Sequence, residues 1–174
     1  MTSSIFIRIG GLATMVGAVS SYATIWSPEW LFVLQLSVMV FPAIVALHAL
    51  QRERERYGLP GTLASLASFV GLTLIIVSWP LEALLFLNVG LALATVGLLA
   101  LGPITIAARV MPWWCGTALI VGSPLGVALG MVFLWPLGLD ETAIILPLGV
   151  GWVLVGYAVF RSAGHLPEQP SRVR

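Results

Sequence analysis

Six long apolar stretches separated by short turns account for most of this chain. They run from Ile5 to Trp26, Trp30 to Leu50, Gly61 to Trp79, Glu82 to Ala108, Pro112 to Trp135 and Thr142 to Phe160. Each approaches the ~20 apolar residues that carry an α-helix across a bilayer. None shows the short alternating pattern of a membrane β-strand. The pattern predicts an all-α fold, a polytopic membrane bundle of about six transmembrane helices. The short connections predict antiparallel neighbours. Residues 1–163 then form one transmembrane domain, and the polar, proline-bearing stretch 164–174 forms a disordered cytoplasmic tail.

The charged positions orient this bundle. All eight basic residues are arginines. Arg8, Arg52, Arg54, Arg56, Arg109, Arg161, Arg172 and Arg174 fall on one side of a six-helix topology, while the opposite turns carry Glu29, Glu82, Asp140 and Glu141. Short arginine-bearing loops stay in the cytoplasm, so both termini are expected there and the protein in the plasma (inner) membrane. Trp26, Trp30, Trp79 and Trp135 fall at outer helix ends and Trp113 and Trp114 at an inner end, where indoles meet headgroups. Trp152 alone falls mid-helix, where packing accounts for it. Arg8 lies within the first apolar run rather than ahead of it, which does not read as a cleaved signal peptide.

Composition narrows the chemistry. Hydrophobic residues make up 59% of the chain and charged ones 9%, against about 25% charged in a soluble domain. A net charge of +1 implies no nucleic-acid partner. Without lysine, a retinal or pyridoxal Schiff base has no amine to form on. Cys115 is the single cysteine, and of the two histidines His48 lies near the inner end of the second segment and His165 in the tail, so neither a metal site of three or four ligands nor a bis-histidine haem on facing helices can be built within one chain. No cofactor is expected. The arginine–glutamate run from Arg52 to Arg56 reads as a solvated turn, with a partner-docking surface as the alternative.

The outer turns repeat. Trp26-Ser27-Pro28-Glu29, Trp79-Pro80-Leu81-Glu82 and Trp135-Pro136 with Asp140-Glu141 each set an indole, a proline and an acid before a returning helix. Proline suits the first helical turn, and a carboxylate suits the positive end of a helix dipole. Gln35 and Asn88 stand at matching depths in two of the returning helices. Either three parallel hairpins arose by duplication, or outer membrane turns simply favour these residues. In the first case Glu29, Gln35, Glu82, Asn88, Asp140 and Glu141 are candidates for an outer entrance that attracts cations. In the second, the acids cap helices and the amides bond between helices.

Small residues four apart mark the odd segments, most clearly Gly122, Gly126 and Gly130, the candidate packing or partner face. Such stripes let helix backbones approach closely, which makes the odd helices the expected interior. Pro42, Pro103, Pro124 and Pro147 lie within apolar segments and could bend them.

The stretch Ala108-Arg109-Val110-Met111-Pro112-Trp113-Trp114-Cys115-Gly116 resembles a cytoplasmic turn of small, uncharacterised bacterial multi-helix inner-membrane proteins, and Arg8-Ile9-Gly10-Gly11 is similar to a segment near their start. The resemblance implies an inner-membrane location and no activity. The expected function is non-enzymatic: an accessory or scaffold subunit beside a larger membrane partner or in a homo-oligomer. The alternative is a small transporter or substrate-capture subunit with the acidic outer entrance. No ionisable residue is expected at mid-membrane depth, where proton pumps and ion-coupled carriers usually place one.

Overall fold

The computed structural model describes residues 3–22, 29–53, 58–78, 80–109, 111–138 and 140–164. Within this set the side chains of 3, 29–38, 53, 124, 134, 135 and 140–145 are left undescribed. Among the described residues the regular structure is entirely helical. It comprises α1 Ser3–Ser21, α2 Glu29–Glu53, α3 Gly58–Ser78, α4 Leu84–Ala108, α5 Trp113–Val121, α6 Pro124–Leu134 and α7 Asp140–Ala163, with a 3-10 turn at Trp135–Leu137. Four helices (α1, α3, α4 and α7) are long and apolar enough to cross a membrane, and α5 with α6 would make a fifth span if counted as one bent unit. These long apolar helices suggest a membrane location.

The fifth apolar segment is not one helix. α5 and α6 meet at Gly122 and Ser123 with a bend of 69°. Proline has no N–H and so removes one bond from the helical ladder; α2, α4 and α7 run on through Pro42, Pro103 and Pro147, and the helix breaks only where Pro124 follows Gly122 and Ser123. Ser123 both ends one helix and starts the next. Its hydroxyl donates to the Ile120 carbonyl at 2.6 Å and accepts the Leu125 N–H at 3.2 Å. A serine N-cap followed by proline at the first helical position is a strong helix start.

α3 packs most extensively on α4, and α1 on both α7 and α2; α5 joins α4 to α7, and α6 lies along α7. The centre is not built from the first, third and fifth apolar segments, which are α1, α3 and α5 with α6. It is the second half of α2 and α7. Met39, Val40, Ala43, Leu47 and Leu50 of α2, with Trp152, Val155 and Val159 of α7, are buried almost completely. Small residues instead line the seams. A Cβ on Gly11 would sit 2.7 Å from the Gly156 carbonyl, and one on Gly151 would sit 2.6 Å from the Gly122 nitrogen. Backbone against backbone at these distances requires glycine. Small residues tell where helices touch, and bulk and burial tell which helix is central.

Buried hydroxyls are satisfied locally. Thr14 donates to the Gly10 carbonyl at 2.8 Å, Ser68 to Ala64 at 2.9 Å and Ser21 to Ala18 at 2.6 Å. Each helix therefore presents a largely apolar wall, as hydrocarbon surroundings demand.

Candidate functional site

The two ends of the bundle differ chemically. Gly10 abuts Ala46 and Gly17 abuts Met39, so the start of α1 lies by the end of α2. Gly11 abuts Phe160, which brings the end of α7 to the same place. Gln51 donates to the Thr105 hydroxyl at 2.9 Å and so joins the end of α2 to the end of α4. Arg8, Arg52, Arg109 and Arg161 consequently share one end, and all four are exposed. The Arg8 guanidinium reaches across to α7, its Nη2 3.0 Å from where a Cβ on Gly164 would sit. There it meets the negative end of the α7 dipole.

The turn between α4 and α5, at the arginine end, is a built corner. Arg109 ends α4 in the left-handed conformation, φ 52, with its N–H on the Ile106 carbonyl. Pro112 caps α5, Met111 packs inward, and the Cys115 thiol sits 3.9 Å from the Met111 sulfur. Trp114 stacks on Tyr157 of α7 at 6.4 Å, and Trp113 stands exposed at the surface of this end.

At the opposite end Glu82 behaves differently from the expected helix-opening acid. α4 begins at Leu84, its N-cap is Ala83, and no side chain caps it. Glu82 lies in the turn before, exposed, at φ 49. The Ala83 N–H closes this turn onto the Ser78 carbonyl at 3.1 Å. A depression of about 360 Å³ lies beside it, lined by Ser78, Glu82, Ala83, Leu84 and Leu87. Asn88 is exposed on α4 and does not line it. Glu29 and Asp140 are the first residues of α2 and α7, with Glu141 next, and Gln35 lies within α2. The side chains of Glu29, Gln35, Asp140 and Glu141 lie outside the described residues, as do Trp26, Trp79, the turn 54–57 and the tail 165–174 with His165.

Gly122, Gly126 and Gly130 are all buried, but the helix break divides them. Gly122 ends α5 and faces Trp152, with the indole nitrogen 3.1 Å from where its Cβ would be. Gly126, in the first turn of α6, lies directly against the Val121 carbonyl, where the bend folds the two helices together. The stripe thus lets a helix turn sharply as well as letting helices meet.

Two polar contacts were not singled out from the sequence. Trp152 donates from Nε1 to the Gly122 carbonyl at 2.7 Å, a buried bond that ties α7 to the break. Its mid-helix position and the Gly122-Ser123-Pro124 string were the available signals. The second is Gln51, fully buried, whose Oε1 has no hydrogen-bond partner among the described residues. Its place next to the arginine–glutamate run gives no sign of this burial.

Among the described residues no group of three or more His, Cys, Asp or Glu is placed to hold a metal ion. No protein family, curated protein or solved structure matches this chain.

Proposed function

We propose that this protein is a six-span inner-membrane scaffold or accessory subunit, with its arginine end in the cytoplasm, that packs beside a larger membrane partner. The six spans are α1, α2, α3, α4, the bent α5–α6 unit and α7. They pair in sequence as three hairpins, α1 with α2, α3 with α4, and α6 with α7. The third departs from the other two in its broken outgoing helix.

The observation that carries the functional reading is how the helices meet. At the seams between α1 and α7, α3 and α4, α4 and α5, and α5 and α7, glycine brings one backbone onto the next. Such seams make a rigid body whose outward faces are apolar. Ile5, Ile9, Leu12, Val16 and Val19 form one such face on α1, and Leu59, Leu63, Leu66, Val70 and Val77 another on α3. The alternative, a transporter with an acidic outer entrance, draws less support. Of its six candidate residues, Glu82 and Asn88 have described side chains, and both are exposed.

Purification of the tagged chain in a mild detergent tests the two readings together. The scaffold reading expects one membrane protein at a fixed ratio, and no cation flux when the chain alone is reconstituted in liposomes. A homogeneous chain that conducts or exchanges cations by itself would overturn it.

A further inference from the structure

The packing of α2 on α3 is much sparser than that of α3 on α4, and a groove of about 240 Å³ opens between them toward the outside of the bundle. Ile44, Val45, Leu66 and Phe69 form its apolar walls, while His48, Thr62 and Ser65 lie toward the arginine end. Phe69 in turn meets Phe41 of α2 edge-on, the ring centroids 4.8 Å apart. On α2 the groove face runs Phe41, Val45, His48, and its next position one turn on is Arg52, which is exposed. The groove is therefore graded, from aromatic and aliphatic to hydroxyl and imidazole, ending at a guanidinium.

Its length fits one leaflet. The residues that line it on α3, Thr62 to Phe69, span about 10 Å along the helix, and Arg52 stands one turn beyond His48, so groove and guanidinium together take up about half of the ~30 Å hydrocarbon core. A chain seated between α2 and α3 would lie in hydrocarbon, and the group at its head would meet Arg52 at the interface. The Thr62 hydroxyl donates to the Gly58 carbonyl at 3.1 Å, which leaves its oxygen able to accept. Arginine presents a planar fork that matches a phosphate with two parallel bonds. The turn from Arg52 to Arg56 contains three arginines and two glutamates, a net charge of +1.

We propose that this groove binds one anionic phospholipid of the inner leaflet, with an acyl chain along Ile44, Val45, Leu66 and Phe69 and the phosphate at Arg52. This rests on the reading that the arginine end lies at the membrane surface. A zwitterionic lipid fits the walls equally well but brings its own ammonium to the positive end. Basic residues at the interface favour anionic lipid by about fivefold each, so the preference should be of that order.

Native mass spectrometry of the full chain, released from nanodiscs of equal phosphatidylglycerol and phosphatidylcholine with identical chains, tests this. The expected result is one retained lipid, phosphatidylglycerol over phosphatidylcholine by about fivefold. Arg52→Gln, at an exposed helix end, should abolish the preference but keep the lipid. Val45→Trp, which fills the groove, should lose both lipids, and Arg161→Gln on α7 should change nothing. Equal retention of the two lipids by the native chain, or an undiminished preference in Arg52→Gln, would overturn the proposal. Should Val45→Trp fail to fold, Arg52→Gln still decides. A chain that enters nanodiscs without preference refutes the lipid site alone, whereas one that stays soluble without detergent refutes the membrane reading beneath it.

Discussion

Replacing Trp152 with phenylalanine removes the indole N–H that the Gly122 carbonyl accepts at 2.7 Å, in a site where Trp152 is 1% exposed. Two losses follow. A buried carbonyl deprived of its donor costs about 1–3 kcal/mol in general, but interhelical bonds in bilayers average only ~0.6 kcal/mol and reach ~1.7. The upper part of the bilayer range applies, because Gly122 lies at a helix break and α7 supplies this donor from another helix. The smaller ring also leaves a void of about 40 Å³, worth ~1 kcal/mol at the usual cavity cost. Trp152→Phe should therefore destabilise by about 2 kcal/mol, read as a lowered midpoint in SDS or thermal unfolding in detergent. Trp114→Phe is the control. Trp114 is half-buried and stacks on Tyr157, so its loss should cost about 1 kcal/mol or less. The bend itself depends on Ser123 and Pro124 and should persist. Spin labels at positions 113 and 133 would stand about 30 Å apart on a straight helix and about 25 Å apart across the bend. If the two variants lose equal stability, the indole does not hold Gly122. A distance of 30 Å in Trp152→Phe would show that the indole, rather than the serine–proline pair, makes the break.

Two further substitutions test the packing and the buried amide. Gly126→Ala places a methyl on the Val121 carbonyl and should destabilise by more than the ~1 kcal/mol that alanine normally gains over glycine in a helix; a stabilised variant in the same unfolding assay would contradict the bend geometry. Thr105→Val removes the partner that Gln51 reaches at 2.9 Å and should cost about 1–3 kcal/mol, while adding Gln51→Leu should recover most of it, since two apolar partners leave nothing unsatisfied. Additive losses in that double-mutant cycle would show the pair uncoupled.

The helices themselves were legible because lipid demands long apolar runs, and the observed α3 and α4 begin and end within three residues of the apolar stretches that predict them. Which face turns inward was less legible. Leu66 and Val70 are exposed and Leu47 and Leu50 buried, yet nothing in their type distinguishes them, because lipid is as apolar as the core. The same ambiguity hid the break. Gly122, Gly126 and Gly130 satisfy a four-residue period, and that regularity masked the helix start written in Ser123 and Pro124. Glu82 shows the opposite error. A carboxylate beside a helix start suggests a cap, but α4 takes Ala83 as its N-cap, and the left-handed turn at Glu82 leaves the acid one position short of it. Gln51 was hidden by its neighbours, since polarity in sequence does not report that α2 extends past it to Glu53.

The claim on which the rest depends is that the arginine end faces the cytoplasm and the Glu82 turn faces out. It is tested by a membrane-impermeant maleimide on spheroplasts, in a Cys115→Ala background that removes the one buried thiol. Leu81→Cys, at a position 59% exposed in the α3–α4 turn, should label on intact spheroplasts. Arg56→Cys and Ser171→Cys should label only after the membrane is opened. Labelling of Arg56→Cys on intact spheroplasts, or of both turns from the same side, would contradict the topology.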